Sequence, residues 1–195
     1  MRQDAPASAC KSLKELVTAA QSCALCEGLA STRGTVVVGL HPRAAKVLVV
    51  GEAPGAQEDA TGLPFVGKSG QLLDGVLESA GLSRATVAIT SVVKCRPPGN
   101  RTPYAQEIAH CTPWIDRQVE LINPQVVVAM GSVAAKWAMG TGVKIGQVHG
   151  ELMPWRNRDL MITYHPSAAL RFGPRGAPLA AMRADFLVVA QRVQA

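Results

Sequence analysis

Four short stretches of this chain are apolar at nearly every position: 46–51 (KVLVVG), 86–90 (TVAIT), 125–130 (QVVVAM) and 160–164 (LMITY). A strand with one wet face alternates apolar and polar residues. An unbroken, largely β-branched run is what a parallel strand covered on both faces needs. Between these runs the pattern lengthens into helical stretches over about 12–20, 70–80, 104–123, 132–139 and 179–193. The residue before a proline disfavours the α region, so Asn123-Pro124 closes the third of them. Alternating strands and helices predict a three-layer α/β domain spanning 1–195, with no internal repeat or linker. Residues 96–103 and 171–178 are rich in Pro, Gly and Arg and read as loops.

Composition narrows the class. At 195 residues the chain fits one domain that buries roughly 70% of its unfolded surface, so a monomer is expected to be stable without disulfides. A 48% hydrophobic and 17% charged composition excludes a disordered polyelectrolyte. No apolar run approaches the roughly 18 residues of a membrane span. The first residues, MRQDAPA, lack the apolar core of a secretory leader, so a cytoplasmic location is expected. The net charge of +6 is compatible with a polyanionic partner such as nucleic acid. Five cysteines in a reducing compartment argue against a disulfide framework and call for another explanation.

Ligands of open parallel sheets sit outside the carboxyl ends of the strands. The segments that follow the four runs are 51–69, 91–103, 131–132 and 165–175. The first, GEAPGAQEDATGLPFVG, crowds Glu52, Glu58, Asp59, four glycines and Phe65 into one loop. Loops this long are more often functional than not, and glycine lets backbone approach a ligand closely. Gly62–Ser69 also matches the phosphate-cradling pattern G-x-x-x-x-G-K-S. About ten residues separate it from the strand, however, and Pro64 and Phe65 stand where amides should face phosphate. A nucleotide hydrolase is therefore the lesser reading. Cys23 and Cys26 form a C-x-x-C pair, with Cys95 and Cys111 more widely spaced beyond the second run. Four thiolates suit zinc or an iron–sulfur cluster, and the wide second pair leans towards iron–sulfur. Cys10 stands outside this set. His165 ends the fourth run on the ligand side, whereas His41, His110 and His149 read as surface or core residues.

Taken together, GEAPGAQEDATGLPFVGKSGQLL, ITSVVKCRPPGNRTP and HPSAAL resemble the three signature segments of the family 4 uracil-DNA glycosylases, over about 13–193. That resemblance implies a three-layer α/β/α fold with a central four-stranded parallel sheet. It also implies a [4Fe-4S] cluster held by Cys23, Cys26, Cys95 and Cys111, and removal of uracil from DNA in base excision repair. The partner would be uracil-containing DNA, in the bacterial or archaeal nucleoid. Position by position, Glu52 and Ala53 match the catalytic loop whose amides hold the base. Glu58 matches the residue walling off the C5 side of the pyrimidine, Phe65 the aromatic stacked on it, and His165 the donor to uracil O2. Ser91 stands where the family usually carries Asn. An amide can both accept from N3–H and donate to O4, whereas a hydroxyl has one proton to give. The alternative is thus a module of the same fold that binds damaged bases or has broadened specificity, with weak uracil turnover. Arg96, Arg101, Arg171, Arg175 and Ser167 are expected on the DNA side, with Leu170 or Phe172 as a wedge into the vacated stack.

Overall fold

The computed structural model describes residues 6–194; residues 1–5 of the MRQDAPA stretch, read above as lacking a leader's apolar core, lie outside that range. A mixed five-stranded sheet runs in the order β2-β1-β3-β5-β4, with β1 Val47–Gly51, β2 Val87–Ser91, β3 Val126–Met130, β4 Leu152–Trp155 and β5 Arg158–Thr163. β1 pairs in parallel with β2 and β3, and β3 with β5. The expected four-stranded parallel sheet is therefore incomplete: β4 adds an antiparallel edge to β5. The reason it escaped the apolar pattern is physical. β4 contains Pro154, which an edge strand tolerates because one side of its ladder is unpaired, and none of its residues is fully buried. A two-residue turn at Arg156 and Asn157, both with left-handed φ (46° and 61°), joins it to β5.

β1, β2 and β3 are buried along their whole length and β5 from Leu160 onward, as their unbroken apolar runs require. Alternate residues divide between two cores. Leu48, Val50, Ala88, Val127, Ala129 and Ile162 pack under α1 (Leu13–Gln21), α2 (Glu27–Ala30), α5 (Ala105–Ile122) and α6 (Gly131–Met139). Val47, Val49, Ile89, Val128 and Met161 pack under α4 (Lys68–Ser79), α8 (Pro166–Phe172) and α9 (Ala177–Gln194). The three layers follow. Trp114 of α5 and Phe186 of α9 anchor the two cores, at 1% and 0% exposure. Truncating such a side chain to alanine costs roughly 3–5 kcal/mol.

Helix ends obey local chemistry. Ser12 caps α1 by accepting from the Glu15 amide at 3.2 Å, and Asn123 ends α5 in the left-handed region ahead of Pro124. Two expected loops contain helix instead. The 51–69 segment holds α3 (Ala56–Thr61), and α8 continues through Arg171 and Phe172, leaving only 173–176 as the connection to α9. A short helix α7 (Ile145–Val148) precedes β4.

Candidate active site

The segments after β1, β2 and β5 converge on one cavity of about 320 Å³ at the carboxyl end of the sheet. Its walls include Glu52, Ala53, Glu58, Phe65, Ser91 and His165, so every residue expected to touch the base faces the same space. Phe65 and His165 stand side by side in its wall, with ring centroids 5.9 Å apart and planes tilted by 41°.

Phe65 is held in an unfavourable backbone conformation. Its φ is +52°, uncommon for a residue with a β-carbon. Three features hold it there. Arg84 donates to the carbonyls of Pro64 (2.9 Å) and Phe65 while its Nε bonds Asp74 at 2.6 Å. Gly70 lets α4 press against the Phe65 carbonyl, where a β-carbon would stand 1.7 Å from the oxygen. Gly51 leaves room for the ring itself, since its β-carbon would meet Phe65 Cζ at 2.4 Å. Over-determination of this kind marks functional sites.

Glu58 does more than line a wall. Its Oε1 accepts from the amides of Val66 (2.8 Å) and Gly67 (2.9 Å), and its Oε2 from Gly55 (3.1 Å). One carboxylate thus folds the 55–67 loop around itself. The same bonds dispose of the phosphate-cradle pattern, because two amides within that motif are already spent on an internal anion. Asp59 is buried and anchors the neighbouring chain by accepting from Gly34 at 2.9 Å.

His165 caps α8. Its Nδ1 accepts from the Ser167 amide at 3.2 Å, which leaves the proton of a neutral ring on Nε2. Burial lowers its pKa from 6.5 to about 4, so the ring is neutral through the physiological range. Gly131, at the β3–α6 junction with φ +84°, permits the close approach: a β-carbon there would lie 2.9 Å from His165 Cβ. On the opposite wall, the Glu52 carbonyl accepts from Val93 N–H at 3.0 Å, extending the β1–β2 pairing and fixing the backbone of the acid. Burial raises the Glu52 pKa above its ordinary 4.5.

Ser91 ends β2, 6% exposed. Behind it lies Lys94, fully buried, whose ammonium donates to the Ser91 carbonyl and to Thr90 Oγ1 at 2.8 Å. Burial brings the Lys94 pKa down from 10.5 to about 7. This polar knot joins the pocket floor to the cysteines. Cys23 and Cys26 lie between α1 and α2, Cys95 follows β2, and Cys111 is on the inner face of α5. Burial is the main cause raising the pKa of Cys26 to about 11, of Cys111 to about 12 and of Cys95 above its ordinary value, with the neighbouring thiols adding to it. Nitrogen groups face three of the sulfurs: Arg33 Nη1 to Cys95 (3.2 Å), Lys94 N to Cys111 (3.3 Å) and His110 Nδ1 beside Cys26 (3.5 Å). Among the described residues no group of three or more acidic, His or Cys side chains is gathered to hold a single metal ion.

The profile of the uracil DNA glycosylase superfamily matches residues 38–187, more than half of the chain. A type-4 uracil-DNA glycosylase from Thermotoga maritima is 43% identical over 153 residues, 77% of this chain and 79% of that protein. Another, from Archaeoglobus fulgidus, is 40% identical over 168 residues, covering 82% and 84% of the two chains. A third, from Pyrobaculum aerophilum, is 45% identical over 133 residues, covering 64% and 68%. The chain belongs to the type-4 uracil-DNA glycosylase family.

Around the pocket of this type-4 chain, the residues expected to meet DNA divide in two. Arg171 is exposed on α8 beside Leu170 and Phe172, which are 44% and 66% exposed, and Arg175 is exposed just beyond. Arg96 and Arg101 are partly spent inside the protein. Arg96 Nε donates to Asn100 Oδ1 at 2.8 Å, and Arg101 makes a two-pronged bond to Glu107 at 2.7 and 2.8 Å. His110, read from sequence as an ordinary surface or core residue, turns out to face a cysteine. Arg84, Asp74, Gly131 and Lys94 were missed. Arg84 and Gly131 lie far in sequence from the residues they support, Asp74 directly follows the first motif, and only the charge of Lys94 inside an apolar stretch offered a signal. Among the described residues, no helix is long and apolar enough to cross a membrane.

Proposed function

We propose that this chain excises uracil from DNA by hydrolysing the N-glycosidic bond, opening base excision repair. The observation that supports it most directly is the pairing of an aromatic ring with a neutral imidazole, proton on Nε2, in the wall of one cavity. A base inside the stack is out of reach, so the nucleotide must swing out at a cost of a few kcal/mol. Stacking on Phe65 offsets roughly 1–3 kcal/mol of that.

As the bond between C1′ and N1 breaks, its electron pair leaves with the base and the sugar becomes cationic. His165 Nε2–H donates to the developing charge on O2 without giving up its proton, as an oxyanion hole does. The Ala53 amide would assist. Glu52 orients a water towards C1′ and accepts its proton as the new C–O bond forms; a pKa raised by burial makes it the better base near neutrality. Ser91 meets the base edge with its one hydroxyl, and Glu58 supports the wall at C5. Arg171, Arg175 and Ser167 would contact phosphates, Arg96 and Arg101 the rim, and Leu170 or Phe172 would fill the gap in the stack. A single chain supplies all of these groups, so the acting unit is a monomer, working on nucleoid DNA in the cytoplasm.

Cys23, Cys26, Cys95 and Cys111 would hold a [4Fe-4S] cluster. The donor set fits: four thiols near one another, with nitrogen groups facing three of the sulfurs where negative charge would gather. The cluster would supply a structural tie between the N-terminal segment and the loop after Ser91. Electrophoresis of a uracil-containing strand after alkaline cleavage tests the activity. An abasic product made by the natural chain and lost in Glu52→Gln and His165→Ala upholds it; no product from the natural chain overturns it.

A further inference from the structure

Beside the base pocket stands an aromatic ring that the reaction does not use. Tyr104 is 62% exposed, the most exposed tyrosine or tryptophan expected nowhere in the motifs, and it occupies the N-cap of α5. The Arg101 guanidinium lies 3.6 Å from its ring centroid and covers one face. Arg101 is itself pinned. Its two terminal nitrogens bond Glu107 at 2.8 and 2.7 Å, and the Tyr104 amide donates to the same carboxylate at 2.7 Å. Glu107 is buried, 8% exposed, and the hydrogen bonds from Arg101 lower its pKa. Ring, guanidinium and carboxylate are therefore tied together, with one ring face covered by Arg101 and Tyr104 still mostly exposed.

That unit adjoins the pocket, since Asn100 and Arg101 form part of the pocket wall. A phosphate would find little free charge on Arg101, because the guanidinium is already matched by Glu107. What the shelf offers is a π-face held at one orientation, and every nucleobase has a π-face to place on it. In a duplex the bases next to an extruded nucleotide stay stacked and paired. In a single strand they are free to turn outward.

We propose that Tyr104 is a stacking shelf for the unpaired nucleobase adjoining the extruded uracil, and that it favours uracil in single-stranded over duplex DNA. Arg101 is then a positioning residue that holds the shelf, in place of the phosphate contact expected of it. The inference rests on the base-excision reading for the identity of the pocket's occupant, but its test reads binding and not turnover.

Fluorescence anisotropy of labelled uracil oligonucleotides would measure it, in single-stranded and duplex form. The residue on each side of the uracil is replaced in turn by an abasic tetrahydrofuran unit. Stacking of this kind predicts that Tyr104→Ala weakens single-strand binding about tenfold and duplex binding by less than threefold. The loss should vanish when the neighbour on one particular side is abasic, and Tyr104→Trp should restore it. A merely structural role for Tyr104 would weaken all substrates alike. Equal losses with and without neighbouring bases, or no loss at all, would overturn the shelf. An absence of abasic product with the binding pattern intact would count against the excision reading alone.

Discussion

Two cavities occupy opposite ends of the sheet, and the larger is the less informative. The one lined by Asn123, Trp155, Arg156, Arg158 and Arg192 holds about 630 Å³, against about 320 Å³ for the pocket containing Phe65 and His165. Its cations are nonetheless matched. Arg156 bonds Asp116 at 2.8 Å and lies over Trp155, Arg192 bonds Asp159 at 2.7 Å, and Arg158 donates to the Val119 carbonyl at 2.9 Å. The positive φ of Arg156 and Asn157 there makes the β4–β5 turn, and that of Asn123 ends α5. At the carboxyl end, by contrast, a phenylalanine that joins no paired strands and caps no helix is held at positive φ by Arg84, an imidazole is stripped of its usual basicity, and an acid is desolvated. Those are costs the fold bears without local return, and such costs concentrate where a ligand recovers them. Volume alone would not have singled out the catalytic end.

The largest effect should come from the acid. Glu52→Gln is expected to slow excision by about 10²- to 10⁴-fold in single-turnover experiments, with DNA affinity little changed. The ionised form is the active one, and burial raises its pKa, so activity should fall as pH drops through a value above the ordinary 4.5. This acidic limb should be absent from the residual activity of Glu52→Gln. A limb at or below the ordinary value would break the link between desolvation and function.

His165→Ala should follow, with a loss of about 10²- to 10³-fold in the chemical step. The same residue carries a stability signature. With a folded pKa of about 4 against an ordinary 6.5, His165 takes up a proton only in the unfolded chain across that window. His41, also held at about 4 by burial, adds to it. Stability should therefore decline as pH falls from about 6.5 towards 4, and thermal melting should show His165→Asn declining less steeply than the natural chain.

These side chains differ in how far the chain announced them. The four parallel strands were legible because burial on both faces demands unbroken apolar runs, and β4 was not because an edge strand tolerates Pro154 and half-exposed neighbours. Glu52, Phe65, Ser91 and His165 were legible because ligands collect at the carboxyl ends of strands and the motifs mark those ends. The supports were illegible. Gly131 matters only through its distance to His165, and Arg84 only because it reaches back 19 and 20 residues to two carbonyls. Arg101 looked like a phosphate contact because its charge is visible in sequence, while its match at Glu107 appears only once α5 is formed.

Arg84 offers a subtler break in the comparison, since it touches no substrate. Removing its guanidinium should let Phe65 leave its positive φ and blur the face on which the base stacks. Arg84→Leu is expected to lower kcat/KM by about tenfold, the equivalent of about 1.4 kcal/mol, with much of the loss in KM. Arg84→Lys should recover only part of it, because an ammonium cannot span two carbonyls and Asp74 as a planar fork does. Full recovery by lysine would mean that charge alone, and not the clamp, is what the loop requires.

The smallest effect belongs at the far cavity, and it tests whether matched ions there are inert. Arg156 is 46% exposed at its side chain and bonds an Asp116 that is 33% exposed, so water screens the pair heavily. Exposed pairs of this kind contribute roughly 0–1 kcal/mol. Stacking over Trp155 with the guanidinium in water adds about 0.5–1 kcal/mol. Arg156→Ala should therefore lower stability by at most about 2 kcal/mol in urea denaturation and leave excision and DNA affinity within twofold of the natural chain. A larger fall in affinity would place a nucleic-acid contact at the end of the sheet where the positive φ angles belong to a tight turn and a helix end and the cations are already bonded, and the rule that unreturned cost locates function in this molecule would fail.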